Sequence, residues 1–532
     1  QGQTAEEMRM AGQLREALRS LFFADDIVLK ADTYEDLERL IKCLGEYCHK
    51  WHLDINEGKS KIMIIAPKKA TRAKLKSEYS NRRQGRLKLD LCMRYKYLGV
   101  WLNENWDWSD HIAYAINKTK QLVSRLDSRI FRNKFIDVGS KLKVWNTIVK
   151  PKLLYGSEVW WADKKQAERL ERVQLTVAKT ILQCCQSTPN CIVEKELGLD
   201  TIEVECDKRK VCFNAFLVNS KAELAKKVIA LNQDALPYGR RSQHMMLKSV
   251  YEKYNMWGKY QSIEEGEEFS KEGWKNDAKK AIRAKASSIL MDRLDCLEEK
   301  SEIYKHVVEG SPNWSMQNYL RWYTVEKKLR FTLLSRSHAL NVELQRRGTD
   351  DTGLCQACDQ EVSEDECHFL LQCPFYEKHR APFMRKLMDI NPIVRADQQH
   401  TDRIFEQRWN QAHPLEKCAM ILRDYVSSTD YMFNKSGNNH SGSRESESRR
   451  VGGNGYREGT TTNSHNESHN NHGHLRDIAE ERAKQTRSLA DKYLLAIWEE
   501  RKLLLTSKGI RVRSNGLSDC DSGNDNSLSL SA

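Results

Sequence analysis

The stretch RSLFFADDIVLKA, residues 19–31, sets two adjacent carboxylates, Asp25 and Asp26, between the apolar runs 21–23 and 27–29. Two short apolar runs around a small polar pair read as two buried strands and a tight turn, with Ala24, Asp25 and Asp26 at or near the tip. Asp is common in turns, where a doubled pair is ordinarily solvated. Adjacent carboxylates nevertheless repel and raise each other's pKa unless a cation lies beside them. A divalent ion removes the conflict. Hard carboxylate oxygens suit Mg²⁺, and in nucleotidyl transfer two such ions stabilise the attacking and leaving oxygens of an in-line displacement.

After the pair, Leu37, Leu40, Ile41, Leu44 and Cys48 recur at helical spacing behind an Asp32/Thr33 cap, which predicts a helix over 33–50. KIMIIA (61–66) reads as a strand, residues 68–96 as a basic linker with eleven Lys or Arg against two acids, and RYKYLGVWLN (94–103) as a hairpin. Strand, turn, strand, helix, strand and hairpin in this order predict an α+β sheet domain. From Trp108 to about residue 335 the periodicity is helical. The run WSDHIAYAINKTKQLVSRLDSRI starts at a Ser109/Asp110 cap and turns Ile112, Ile116, Leu122 and Leu126 inward. Lys118, Lys120, Arg125 and Arg129 lie elsewhere around it and are candidates for contact with nucleic acid. A further helix reaches Lys150, where Pro151 interrupts it.

The 532 residues carry 87 Lys and Arg against 74 Asp and Glu, a formal charge of +13, which favours a polyanionic partner. Thirty per cent charged residues and a mean hydropathy of −0.70 describe several domains with polar connecting parts better than one core. Fifteen cysteines are too sparse for a disulfide scaffold. No apolar run approaches the ~20 residues needed to span a bilayer, and no secretory signal precedes residue 30. The expected setting is therefore intracellular, nuclear or cytoplasmic, without a membrane partner.

A second cluster lies in CQACDQEVSEDECHFLLQCPFY (355–376). Cys355 and Cys358 are separated by two residues, His368 follows after nine and Cys373 after four. Two close pairs joined by a short loop are what a tetrahedral Zn²⁺ site needs, and a Cys₃His set is closed and structural. Cys367 adjoins His368 and is left outside the site. Phe369, Phe375 and Tyr376 are expected to pack in the module rather than stack on bases.

These residues resemble a known family. Phe23-Ala24-Asp25-Asp26 is similar to the FADD box of reverse transcriptases of non-LTR (LINE-type) retrotransposons. The helix 33–50 followed by WHLDINEGKSKIMII resembles the next palm motif, matched by Asn56, Lys59 and Ser60. Tyr97-Leu98-Gly99 resembles the hairpin that grips the primer end; KPKLLYGSEVWW (150–161) and RLERVQLTVAKTIL (169–182) resemble the thumb. The segment HFLLQCPFY resembles the zinc-binding domain that follows the polymerase in many such elements.

The resemblance implies an RNA-directed DNA polymerase acting on an RNA template and a DNA primer. Asp25 would be a Mg²⁺ ligand, Asp26 would support or share that site, and Lys59 would donate a proton to the leaving pyrophosphate. Phe23, Ala24, Asn56 and Ser60 would support the motifs. The family also uses a metal-binding Asp on an upstream strand, whereas only 24 residues precede Asp25 here; Glu6, Glu7 and Glu16 lie in helical composition. The chain is thus expected to be N-terminally truncated and catalytically incomplete. The alternatives are a non-catalytic nucleic-acid-binding remnant or domesticated retroelement protein, and a helical scaffold.

The expected organisation is a partial palm (1–104), a helical thumb-like region (105–220), a helical connector (221–320) and a zinc module with flanking helices (321–392). A helical segment (393–433), a disordered Gly/Ser/Asn/His-rich linker (434–474), a long helix (475–507) offering a face to a protein partner, and a disordered tail (508–532) complete it.

Overall fold

The computed structural model describes residues 19–66, 68–82, 89–220, 222, 225, 243–264, 270–297, 302–308, 316–321, 324–348, 350–390, 409–422 and 465–508. The N-terminal residues 1–18, which include Glu6, Glu7 and Glu16, linker residues 434–464 and the tail from 509 lie outside the described residues. The architecture is α+β and helix-rich. In chain order the first half runs β1 (Ser20–Phe23), β2 (Asp26–Leu29), α1 (Tyr34–Lys50), β3 (Lys61–Ile62), α2 (Lys69–Arg82), β4 (Asp90–Leu91), β5 (Arg94–Tyr97), β6 (Val100–Asn103), α3 (Ser109–Leu126), α4 (Val138–Val144), α5 (Lys150–Leu153), α6 (Lys164–Leu182), α7 (Asn190–Leu197) and α8 (Ile202–Val218). There follow α9 (Gln243–Lys253), α10 (Trp257–Glu264), α11 (Lys271–Asp295), α12 (Glu302–Val308), α13 (Val325–Leu334), α14 (Asn341–Arg346), α15 (Glu377–Ile390), α16 (Pro414–Leu422) and α17 (His465–Ser507). Two compact units form, each assembled from separated segments. One is Gln1–Arg125, Trp145–Gln174 and Asp200–Ala286; the other is Leu126–Val144, Leu175–Leu199 and Ser287–Ala532.

In the first unit α1 begins where its cap dictates, with Thr33 Oγ1 accepting the Asp36 N–H at 3.1 Å. Leu37 and Ile41 pack with Tyr34 against Ile62, Tyr79 and Leu89. That small core gathers β3, α2 and β4, a strand–helix–strand crossover whose strands pair in parallel, Lys61 opposite Asp90 and Ile62 opposite Leu91. The basic stretch is therefore not a linker: α2 forms within it, and the strand expected over 61–66 shrinks to two residues. A parallel pair needs a crossover, and residues 69–82 supply it. Further along, the aromatic core of α8 to α11 stacks Tyr251 on Tyr260 with centroids 4.5 Å apart, beside Trp274.

The N-terminal hairpin departs from expectation in burial. The expected hairpin forms, with Ser20 opposite Leu29 through Phe23 opposite Asp26. Its strands are not buried, however: Phe22 and Phe23 are 58% and 62% exposed. Short continuous apolar runs ordinarily belong to strands buried in a larger sheet, yet β1 and β2 pair only with each other among the described strands.

In the second unit α7 buries two carboxylates. Glu194 pairs with Arg293 at 2.6 Å, and Glu196 takes the hydroxyls of Tyr304 and Tyr319. Helix α17 begins at His465 and so takes in residues 465–474, which composition assigned to the linker. Among the described residues no helix is long and apolar enough to cross a membrane.

Candidate functional site

Asp25 and Asp26 stand at the tip of the β1–β2 hairpin. Ala24 and Asp25 form the two-residue turn, with Ala24 at φ 52°, a left-handed conformation costly for a residue with a Cβ. Both carboxylates are exposed, and among the described residues neither holds an ion-pair or side-chain hydrogen-bond partner. No third carboxylate of the described residues joins them in a metal-sized cluster. Phe22 continues onto α1 as an exposed aromatic row, with Tyr47 at 6.2 Å and Trp51 a further 6.3 Å on.

Asn56 builds the loop that carries Lys59 and Ser60. Its side-chain oxygen accepts the Lys59 N–H at 3.0 Å and its carbonyl accepts the Ser60 N–H at 2.9 Å. The Lys59 carbonyl receives the Tyr95 hydroxyl of β5 at 3.3 Å, so the loop is tied to the second hairpin. The Lys59 side chain is exposed.

The second hairpin, β5–β6, is closed by Leu98 at φ 45° and Gly99 at φ 84°, with Tyr97 opposite Val100. Two left-handed residues in a two-residue loop match the twist of the strands, and glycine at one of them removes half the strain. Gly99 has a second reason to be glycine, because a Cβ there would meet the Tyr155 ring at 2.8 Å. The Tyr155 hydroxyl donates to the Leu98 carbonyl at 3.0 Å, and its own carbonyl receives Trp160 Nε1 at 2.9 Å and His111 Nε2 at 3.1 Å. The other ring nitrogen of His111 accepts the Trp101 N–H at 3.3 Å. One neutral imidazole thus links β6, α3 and the segment after α5, and burial pushes its pKa below the usual histidine value.

Of the four predicted basic residues, Lys118, Lys120 and Arg125 are exposed on α3, and Arg129 is exposed in the π-helical turn Asp127–Phe131. Lys118 and Arg125, seven apart, share a stripe; Lys120 lies about 200° round from Lys118, on another face. Of the four only Lys118 joins a cluster with aromatic rings, and its partners there, Arg94 and Lys96, were not among the predicted residues. Tyr114 on α3 receives Lys96 Nζ at 3.1 Å, Lys96 and Lys118 lie over its ring at 4.8 and 5.9 Å, and Trp101 meets it edge-on. Arg94 covers Trp101 at 5.5 Å. The hydrogen bond from Lys96, with Lys118 and Lys152 nearby, lowers the Tyr114 pKa. The available signal was the alternation of aromatic and basic residues in RYKYLGVW facing a Tyr and Lys one turn apart on a helix. In the other unit Phe135 is 98% exposed and follows the basic Arg132 and Lys134 in sequence.

The Cys/His residues come together. The ligand atoms of Cys355, Cys358, His368 and Cys373 all lie within 4.8 Å of one another. Cys355 Sγ is 3.9 Å from Cys373 Sγ, and Cys358 Sγ is 3.4 Å from His368 Nε2. Bonds of ~2.3 Å to a tetrahedral ion put neighbouring sulfurs ~3.8 Å apart, so the set could hold a structural metal such as zinc. A one-pair bridge between Leu354 and Ser363 closes the first loop, and the Ala357 N–H points at Cys355 Sγ at 3.4 Å. The Cys373 thiol and these loop donors pull the Cys355 pKa down, while the shared proton and burial push that of Cys373 up. Asp365 caps the turn of His368, accepting its N–H at 2.7 Å. Phe369 and Tyr376 pack inside the module, edge to face at 5.2 Å.

The module is closed by α17. Arg501, 3% exposed, donates from Nε and Nη2 to the two oxygens of Glu364 at 2.8 and 2.6 Å, and Tyr493 bonds the Leu370 carbonyl at 2.5 Å. Trp498 meets Phe369 edge-on, and Lys508 reaches the Gln356 carbonyl, between the first two cysteines.

No known family profile matches the chain, and no solved structure does. Over 170 residues, 31% of the chain, it is 25% identical to the uncharacterised transposon-derived protein F52C9.6 of Caenorhabditis elegans, and the match spans 57% of that protein's length.

Proposed function

We propose that the chain belongs to a retroelement and is the palm, thumb and zinc-binding portion of an RNA-directed DNA polymerase of the non-LTR type. The observation that carries this reading is the strained two-residue turn that holds Asp25 and Asp26 at an open hairpin tip, in one compact unit with the Tyr97-Leu98-Gly99 hairpin. Similarity to a transposon-derived protein supports the origin. In this reading Asp25 and Asp26 ligate Mg²⁺, and Lys59 serves the leaving pyrophosphate from the loop built by Asn56. Tyr97, Leu98 and Gly99 position the primer, and Zn²⁺ organises the Cys355, Cys358, His368 and Cys373 module. Two-metal chemistry also needs a carboxylate from outside the described residues.

Primer extension on an RNA template with a DNA primer, by the complete protein that includes the further carboxylate, tests it. Mg²⁺-dependent synthesis should be abolished by Asp25→Asn; synthesis that persists in the variant removes Asp25 from the site.

A second reading, binding of nucleic acid without polymerisation, is favoured by the cluster of Arg94, Lys96, Lys118, Trp101 and Tyr114. Interleaved cations and aromatic rings give a stacking surface beside phosphate contacts. Affinity for an RNA–DNA hybrid should then fall steeply with salt, and Lys96→Gln should reduce the logarithmic slope by about one. A flat salt dependence would remove nucleic acid from both readings.

A further inference from the structure

We propose that Cys367 and Cys418 form a modification site, a thiol pair that hydrogen peroxide converts into a reversible disulfide while the four metal-type ligands stay as they are. The two residues are 51 apart in sequence, yet the Cys418 S–H points at Cys367 Sγ across 3.6 Å. Successive residues of a helical turn point about 100° apart, so His368 faces the ligand cluster while Cys367 beside it faces α16. The cluster draws on Cys355, Cys358, His368 and Cys373 and leaves this pair out.

Their surroundings divide the work. Cys367 is half-buried and within reach of a small oxidant, whereas Cys418 is 0% exposed on the inner side of α16. Peroxide therefore meets Cys367 first. The Cys367 sulfur attacks one peroxide oxygen, the S–O bond forms, the O–O bond breaks and water departs, leaving a sulfenic acid. The Cys418 sulfur then attacks the Cys367 sulfur, the S–S bond forms, the S–O bond breaks, and the hydroxide leaves with the Cys418 proton as a second water. Two thiols are oxidised and one peroxide is reduced to two waters. Closing the sulfurs from 3.6 Å to the ~2.05 Å of a disulfide asks for about 1.5 Å of movement, within reach of side-chain rotation at both residues. A small dithiol reverses the bond by exchange. The link would tie α16 covalently to the module.

The test uses the full chain purified with zinc, treated with hydrogen peroxide, quenched by alkylation and digested without reductant, with zinc measured in parallel by a chromogenic chelator. The expected result is a peptide pair joined through Cys367 and Cys418 as the main cross-link, with zinc retained, and its loss on later dithiothreitol treatment. Cys367→Ser, at the half-buried position, should abolish the cross-link without lowering zinc content. Recovery of alkylated Cys367 with no link to Cys418, or cross-links confined to Cys355, Cys358 and Cys373, overturns the proposal. A cross-link formed equally in protein that holds no zinc would uphold the thiol pair and count against the metal reading alone.

Discussion

At the scale of single residues, Gly99 joins two demands that are usually separate. Its φ of 84° favours glycine, and the Tyr155 ring occupies the space a Cβ would need. Gly99→Ala should cost roughly 1–3 kcal/mol in urea unfolding. Removing the ring with Tyr155→Ala separates the two causes, because the double variant regains whatever share came from the collision. Strict additivity would assign the whole cost to the backbone. The turn itself was legible from YLG, and Thr33 was legible as a cap, since both depend on neighbours a few residues away. The partner of Gly99 was not, because Tyr155 lies 57 residues beyond Leu98 and no local pattern pairs them.

Elements were legible wherever a period was long enough to count. Seventeen residues of α1 and eighteen of α3 carry their inward positions at helical spacing, so type and face could be read directly. Two-residue strands carry no period, which is why the β3–β4 pair escaped and the helix between them was taken for a linker. The hairpin β1–β2 shows the opposite failure, since two short runs of large apolar side chains suggest buried strands without naming what covers them. Between elements, His111 bonds the Trp101 N–H and the Tyr155 carbonyl as a neutral ring. Its pKa in the folded chain is depressed below 6.5, so the folded state holds fewer protons there than the unfolded one. The stability it contributes is present above pH 6.5 and is lost as pH falls towards the folded value. The urea midpoint should drop between pH 7.5 and pH 5.5, and His111→Gln should flatten that dependence. An equal slope in wild type and variant would clear His111 of the role.

Over the whole molecule, the spacing of Cys355, Cys358, His368 and Cys373 was legible because a metal site writes its ligands into short intervals, whereas the clamp on it was not. Arg501 and Glu364 lie 137 residues apart, and a long amphipathic helix announces an apolar face without saying where it docks. Once docked, α17 contributes Tyr493, Trp498 and Arg501 to the module that carries the four ligands. Ligand geometry and helix docking then stabilise each other, for the loop from Gly353 to Glu364 is held at one end by Cys355 and at the other by Arg501. Metal analysis should find about one zinc per chain, lost in Cys358→Ser. Chelation should raise hydrogen exchange in 486–508 as well as in 354–376. In the reverse direction Arg501→Met leaves the Glu364 carboxylate buried without its cation, a loss of about 3–5 kcal/mol, and should speed zinc release to a chelator. If exchange in α17 ignores zinc, and zinc release ignores Arg501, the helix merely lies on the module and the coupling is absent.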